Sequence, residues 1–377
     1  MAERSKLAKL LQHPAAGGMA LMLATAAALT VANTGLQGWY HDVLAINFGP
    51  LNILEWLNDG LMTFFFLLVG LEIKGEMLEG QLSTWRRRVL PGAAALGGMV
   101  VPALVYLSVN LGPTGEPHGW AISSATDIAF ALGVLSLLGP RVPASLKIFL
   151  TALAIIDDLG AVVIIALFYT ASLNTWALLG ALAVALGLFA LNRLRVMHLV
   201  PYLILGLGLW WLVLQSGLHA TLAGVVLALT IPLQPKPGYE SPLRKLEHAM
   251  SPFVGFLVVP LFGFANAGIS FAGISFKALL QPVPLGTALG LFVGKQIGVF
   301  STAKFVVARG WAELPVRANW KTLYGVATMC GLGFTMSLFI GMLAFPGQPE
   351  LQDGLKLGVL AGSGLSAVIG VILLNRK

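Results

Sequence analysis

The stretch IFLTALAIIDDLGAVVIIALFY (148–169) places two adjacent carboxylates, Asp157 and Asp158, at the centre of a mostly apolar segment. A charged residue at the middle of a membrane helix costs about 2.5–3.5 kcal/mol on insertion scales. Ionisable residues kept at that cost are functional by default. The stretch therefore predicts a membrane helix that carries a functional pair of carboxylates.

The composition of the whole chain agrees with a membrane protein. Hydrophobic residues make up 57% of it and charged residues only 10%, with a mean hydropathy of +0.85, whereas a soluble domain carries roughly 25% charged residues. The net charge of +7 does not predict a nucleic-acid partner, because the Lys and Arg residues lie in short loops, where they orient a membrane protein. Cys330 is the only cysteine, and we interpret it as a packing residue.

Apolar windows recur along the chain and predict twelve transmembrane helices in a single polytopic domain, 1–377, since helices satisfy their own backbone in lipid. A cleaved signal peptide is the alternative for the first window. The windows are 14–34, 56–79, 89–109, 119–139, 148–169, 173–192, 199–215, 217–233, 250–272, 284–305, 322–345 and 355–374.

The basic residues orient these spans. With the N-terminus in the cytoplasm, nineteen of the 23 Lys and Arg residues fall inside, and only Lys277 and Lys356 fall outside. Lys74 and Lys295 remain within spans. Because basic residues concentrate in cytoplasmic loops, this separation predicts a multi-pass membrane protein with both termini in the cytoplasm.

Two spans contain polar or small residues that predict interruptions. The fourth carries the run SSATD (123–127), and the eleventh carries Gly331, Gly333, Thr335 and Ser337. Either set could instead serve helix packing. They occupy matching positions in two three-helix blocks, 89–169 and 284–374, which start on opposite sides of the membrane. A pair of broken helices in inverted repeats points to an ion site at the midplane.

The segment GWYHDVLAINFGPLNI (38–53) alternates apolar and polar residues around a Gly-Pro turn. We interpret it as a small extracytoplasmic β-hairpin, and an irregular loop is the alternative.

Four ionisable residues lie near the predicted midplane: Asp127, Asp157, Asp158 and Lys295. Adjacent helical residues point about 100° apart, so one carboxylate of the pair can face an aqueous path while the other pairs with Lys295, the only midspan cation. Oxygen ligands of this kind suit a small hard cation and not zinc or copper. A carboxylate that holds either a proton or a cation couples the two ions by competition.

Six motifs in order resemble the bacterial NhaA-type sodium/proton antiporters, a standing example of inverted-repeat transporters. The resemblance runs nearly end to end. It implies electrogenic, pH-regulated Na⁺/H⁺ or Li⁺/H⁺ exchange without a cofactor, in the inner membrane, by a homodimer joined through the hairpin 38–53. The motifs are TDIAFALG (126–133), ALAIIDDLGAVVIIALFY (152–169), HATLAG (219–224), LEH (246–248), FANAG (264–268) and CGLGFTMSLFI (330–340).

The resemblance also implies residue roles. Asp158 would be the principal site for sodium and protons, with Asp157 beside it and paired with Lys295, and Thr126 and Asp127 would lie at the broken helix and tune its charge. Residues implied in the pH response are Glu72, Glu76, Arg244, Glu247 and His248. Two positions depart from the family pattern, Gly75 where a basic residue is common and Ser251 where a histidine is common, so the activation pH does not transfer.

Other classes of protein remain as alternatives at this point. A magnesium-dependent polyprenyl-phosphate transferase would need further carboxylates or polar loops, but Ala161 and Val162 follow the pair and the loops are short. An intramembrane aspartyl protease needs its two aspartates on separate helices. A cation channel differs from an antiporter in lacking saturable exchange driven by a pH gradient.

Overall fold

Helices make up most of the chain in the computed structural model, which describes residues 16–170, 173–234, 241–272 and 276–375. A single helical turn spans Ile53–Glu55. The longer α-helices of the described part are α1 Ala16–Ala32, α2 Gln37–Ala45, α3 Met62–Leu78, α4 Trp85–Asn110, α5 Ile128–Leu137, α6 Ala144–Phe168, α7 Thr175–Arg193, α8 Leu199–Gln215, α9 Leu222–Thr230, α10 Pro242–Phe253, α11 Val259–Ala267, α12 Pro282–Leu289, α13 Lys295–Ala308, α14 Trp320–Met329, α15 Phe334–Ala344 and α16 Pro349–Asn375.

Shorter helical segments continue or precede several of these helices. The π-helical segments are Trp56–Leu61, Val254–Val258 and Gly290–Gly294, and the 3₁₀ segments are Pro117–Ala121, Gly139–Arg141 and Phe276–Leu280. Each π-helical segment runs directly into the α-helix that follows it, so α3, α11 and α13 each extend a longer helical run.

Several helices are long and apolar enough to cross a membrane. Within the described ranges there are six of them, or up to eight if each of two bent pairs is one span. Each of the predicted windows overlaps at least one helix. The chain is therefore a multi-pass helical membrane protein, and the count of twelve spans stays a prediction. The predicted cytoplasmic termini fall on residues 1–15 and 376–377, outside the described residues.

The predicted hairpin is correct only over its second half. Strands β1 Asn47–Phe48 and β2 Leu51–Asn52 pair antiparallel, with Phe48 opposite Leu51, and Gly49 in the turn has a φ of 68°. Residues 37–45, which we predicted to be strand from 38 onward, form helix α2 instead. The backbone N–H and C=O groups of a strand need a partner strand for their hydrogen bonds. Since β2 offers only two residues, the segment before β1 makes its backbone hydrogen bonds locally, as a helix.

The residues group into two compact units, and each has its own apolar core. The first unit combines Met1–His41, Thr84–Ala161 and Gly263–Lys377, and its core includes Leu135, Leu153 and Met329. The second unit combines Asp42–Ser83 and Val162–Phe262. Most of the predicted repeat blocks 89–169 and 284–374 lie in the first unit, which also contains the two adjacent aspartates.

Within the first unit, α4 and α13 approach each other closely at glycine. A Cβ atom on Gly97 would lie 2.5 Å from the carbonyl oxygen of Gly298, and one on Gly298 would lie 2.1 Å from that of Gly97. Small residues allow such close contact between membrane helices. The contact brings Lys295, one turn earlier on α13, to the surface of α4.

Candidate functional site

Both predicted interruptions are present, and they contact each other. Residues 122–127 separate the 3₁₀ segment Pro117–Ala121 from α5, and residues 330–333 separate α14 from α15, which are bent by 44°. The amide of Asp127 donates to the carbonyl oxygen of Leu332 at 2.6 Å. Backbone groups released by one broken helix are therefore satisfied by the other, as membrane burial requires.

Asp157 and Lys295 form a buried ion pair next to these interruptions. Lys295 Nζ lies 2.6 Å from Asp157 Oδ2, and both side chains are fully buried. The ammonium also donates to the carbonyl oxygen of Ser124 at 2.6 Å. The Lys295 ammonium thus links α13 to both α6 and the first interruption.

Thr126 shares the same carboxylate oxygen. Its Oγ1 lies 2.9 Å from Asp157 Oδ2 and 3.0 Å from the carbonyl oxygen of Cys330. A hydroxyl has one hydrogen to donate, so Thr126 donates to one of these two acceptors at a time. Asp157 Oδ1 has no hydrogen-bond partner in the described part of the chain, which leaves one oxygen of this carboxylate able to accept.

Asp158 follows Asp157 on α6, and its side chain is fully buried as well. Because adjacent helical residues point about 100° apart, its carboxylate leaves the helix in a different direction from that of Asp157. The structure therefore holds two carboxylates side by side in the membrane-spanning part of the first unit, and Lys295 pairs with the first of them.

Asp127 holds the two interruptions together. Its Oδ1 accepts the amide of Phe130 at 2.9 Å and so caps the N-terminus of α5. Its Oδ2 accepts both the amide of Thr335, at 3.0 Å, and the hydroxyl of Thr335 at the start of α15. A carboxylate at two helix N-termini offsets the positive ends of both dipoles, so the geometry gives Asp127 a structural contact, and its share in ion binding stays a prediction.

We expect Thr335→Val to destabilise the protein by about 1.5–3 kcal/mol, the usual contribution of a hydrogen bond to a charged group. Valine has the shape of threonine but cannot donate to Asp127. The apparent melting temperature of the purified protein in detergent measures the effect, with Thr335→Ser, which keeps the hydroxyl, as the matched control. Equal melting of the Val variant and the parent would contradict the contact.

The residues implied in a pH response lie in the second unit, and three of them are in contact. Arg244 Nη1 lies 2.9 Å from Glu247 Oε2, and His248 Nδ1 lies 2.7 Å from the carbonyl oxygen of Arg244. Glu76 Oε2 instead accepts the amide of Gln81 at 2.5 Å, just beyond the end of α3. Glu72 is half-buried on α3.

Gly75 gives this group a feature of its own. A Cβ atom at Gly75 would lie 2.9 Å from Arg244 Nη1, so the guanidinium occupies the space that a side chain there would need. From this position Arg244 Nη2 reaches Glu79 Oε2 at 3.6 Å. Because Gly75 has no side chain, the Arg244 guanidinium from α10 fits against α3 at this position. Its positive charge therefore lies where the family pattern often has a basic residue on α3.

The sequence interpretation missed several partners. Ser124 and Thr335 were noted only as residues of the two interrupted spans, and neither the Ser124 carbonyl nor the Thr335 hydroxyl was assigned a partner. No sequence signal marks Glu79. Lys74, left without a role, donates to the carbonyl oxygens of Leu229 and Ile231 at 2.7 and 2.6 Å, at the end of α9. Within the described ranges, no group of three or more His, Cys, Asp or Glu side chains is placed to hold a metal ion.

Comparisons with known proteins identify the family of the chain. The family model described as Na⁺/H⁺ antiporter 1 matches residues 8–374. The chain is 61% identical to the Na(+)/H(+) antiporter NhaA of Nitrobacter hamburgensis, over 98% of this chain and 91% of that protein. It is 60% identical to the antiporter of the same name in Caulobacter vibrioides, over 98% and 91%. It is 59% identical to that of Mesorhizobium japonicum, over 97% and 93%. By both the family match and these relatives, the chain belongs to the Na⁺/H⁺ antiporter 1 family.

Proposed function

We propose that this protein is a secondary active antiporter that extrudes sodium in exchange for protons and is not an enzyme. The observation that carries the proposal is the adjacent, fully buried pair Asp157 and Asp158 on a membrane helix, in a chain about 60% identical to Na(+)/H(+) antiporters over nearly its whole length. This similarity also disfavours the polyprenyl-phosphate transferase and the channel.

In this mechanism Asp158 is the exchange site. When ionised, its carboxylate binds sodium or lithium, and when protonated it binds neither, so each ion displaces the other. Asp157 contributes Oδ1 to the cation, because Lys295 and Thr126 occupy only Oδ2. Buried charges are tolerated when they are paired, and the Lys295 ammonium allows Asp157 to remain ionised while Asp158 changes state.

The two interruptions supply the moving part of the same mechanism. We infer inverted repeats, 89–169 and 284–374, whose broken helices cross at the midplane, as inverted-repeat transporters arrange them. The contacts of Asp127 with Leu332 and Thr335 support this inference, since they join the two interruptions directly. Access to Asp158 would then alternate as the repeats rock about a fixed site.

The finer features of the family stay predictions for this chain. They are electrogenic exchange, a pH response through Glu72, Glu76, Arg244, Glu247 and His248, a homodimer through 38–53, and an inner-membrane location with both termini in the cytoplasm. The contacts of Arg244 with Glu79 and Glu247 support the grouping of these charged residues at one place in the second unit.

The experiment that tests the mechanism measures the apparent KM for sodium in proteoliposomes at equal pH on both sides, with the pH lowered in steps. If one carboxylate serves both ions, KM should rise about tenfold per pH unit for each competing proton once the pH is well below the pKa of the site. Raising sodium should restore the rate at acid pH, while the maximum rate stays unchanged. A constant KM with a falling maximum rate would reject a shared carboxylate and favour a separate pH gate.

A further inference from the structure

A cavity of about 600 Å³ lies at the start of α6, within the first unit. Gly139, Ser145 and Lys147 line it on one side, and Val316 and Arg317 line it on the other. The Ser145 hydroxyl donates to the Val316 carbonyl oxygen at 2.5 Å and holds the two sides together. The cavity is therefore a formed feature of two segments far apart in sequence, and the antiport mechanism makes no use of it.

The charge of the cavity is positive. Lys147 and Arg317 are its charged lining residues, and none of its lining residues carries a carboxylate. Ammonium and guanidinium groups bind phosphate oxygens through strong, charge-assisted hydrogen bonds. The chemistry of the lining thus fits a phosphate group.

The backbone and surroundings of Arg317 favour a ligand from the membrane. Arg317 has a φ of 61°, a left-handed conformation that is uncommon for residues other than glycine, so a long cationic side chain is kept where glycine would be less strained. Val316 beside it is 76% exposed, and Trp311 in the same loop is also exposed. Tryptophan is enriched at the membrane–water interface, where the stems of basic residues lie along apolar groups and their charges reach water.

We propose that this cavity binds the phosphate of an anionic membrane lipid, with Lys147 and Arg317 as its cationic ligands. The charge distribution assigns this end of α6 to the cytoplasmic face, where basic residues meet anionic headgroups. A lipid fits both the basic and the apolar groups here, since its phosphate would bind the two cations and its acyl chains would cover the exposed apolar side chains.

The test uses the full-length protein purified in detergent and titrated with phosphatidylglycerol, phosphatidylcholine or inorganic phosphate, with bound lipid counted by native mass spectrometry. Each basic residue near an anionic lipid contributes roughly fivefold in affinity, so we expect Lys147→Gln with Arg317→Gln to weaken phosphatidylglycerol binding about 25-fold. The matched control, Arg86→Gln with Arg87→Gln, removes two exposed charges at the start of α4, outside the cavity, and should bind as the parent does.

Three results would overturn the proposal. They are unchanged phosphatidylglycerol binding in the Lys147/Arg317 variant, equal loss in the Arg86/Arg87 control, and equal binding of phosphatidylcholine by the parent. Competition by inorganic phosphate at the concentration of the lipid would also overturn it, in favour of a site for free anions. Recovery of binding by Lys147→Arg with Arg317→Lys would support it, because those changes keep both charges.

Discussion

Asp158→Asn yields a folded, membrane-inserted protein whose sodium-driven proton flux falls to that of empty proteoliposomes. Asparagine keeps the size of aspartate and one carbonyl oxygen, so the packing around this fully buried residue of α6 is retained. Its amide cannot gain or lose a proton, however, and it carries no charge to bind a cation. The variant therefore can bind neither the proton nor the cation at this position, so exchange is abolished and sodium affinity is not merely reduced.

The measurement is proton movement on addition of sodium to proteoliposomes that contain equal amounts of each protein. The matched control is Asp353→Asn, which removes one carboxylate from an exposed position near the start of α16 and should leave the flux unchanged. The melting temperature of the Asp158 variant should match that of the parent, which separates lost exchange from lost folding. Normal flux in this variant would refute the assignment of Asp158.

The class of protein and the interrupted helices could be predicted from sequence because each has a local signal. Apolar runs of about twenty residues predict membrane helices, and polar or small residues within such a run predict a break. The breaks at 122–127 and 330–333 confirm those two predictions. A contact between Lys295 and one of the two adjacent aspartates was also predictable, since a buried charge needs a partner and the spans offer one midspan cation. That the partner is Asp157 was implied only by the family resemblance.

The partners of Asp127 and Arg244 could not be predicted because they depend on packing between distant segments. Asp127 and Thr335 are 208 residues apart, and no spacing or periodicity relates them. The room for Arg244 arises from a missing side chain at Gly75, which the sequence shows only as a departure from a pattern. The helix at 37–45 was missed because its alternation of apolar and polar residues is typical of a strand, while the length of the available partner strand decides the outcome.

The π-helical segment Gly290–Gly294 is a further feature without a sequence signal. It ends at Gly294, directly before Lys295, the first residue of α13. One wide turn rotates every later residue of the helix relative to a regular α-helix, and π-helical turns are frequent at functional sites. Hydropathy detects the span as a whole but not this change of register, so the direction of the Lys295 side chain had to come from the structure.

Lys295→Met should lower the stability of the protein by about 3–5 kcal/mol, the usual cost of removing one partner from a buried ion pair. Methionine has a similar volume to lysine, so the loss reports the charge left on Asp157 and not a cavity. The Asp157→Asn change in the same protein should recover part of this loss, because the uncompensated charge is then gone. Melting temperatures of the parent, both single variants and the double variant form the cycle.

A second ion pair in the same unit provides the control for this cycle. Lys356 Nζ lies 3.4 Å from Asp353 Oδ1, and the side chain of Asp353 is 59% exposed. The Lys356 side chain is 14% exposed, but water reaches the carboxylate and the 3.4 Å separation is long. A pair open to solvent at one partner couples by about 0–1 kcal/mol, so the cycle of Lys356→Met and Asp353→Asn should be close to additive. Strictly additive losses for Lys295 and Asp157 as well would rule out their coupling. A large coupling at the buried pair alone means that Lys295 stabilises the ionised form of Asp157, which leaves Asp158 as the carboxylate that exchanges its ion.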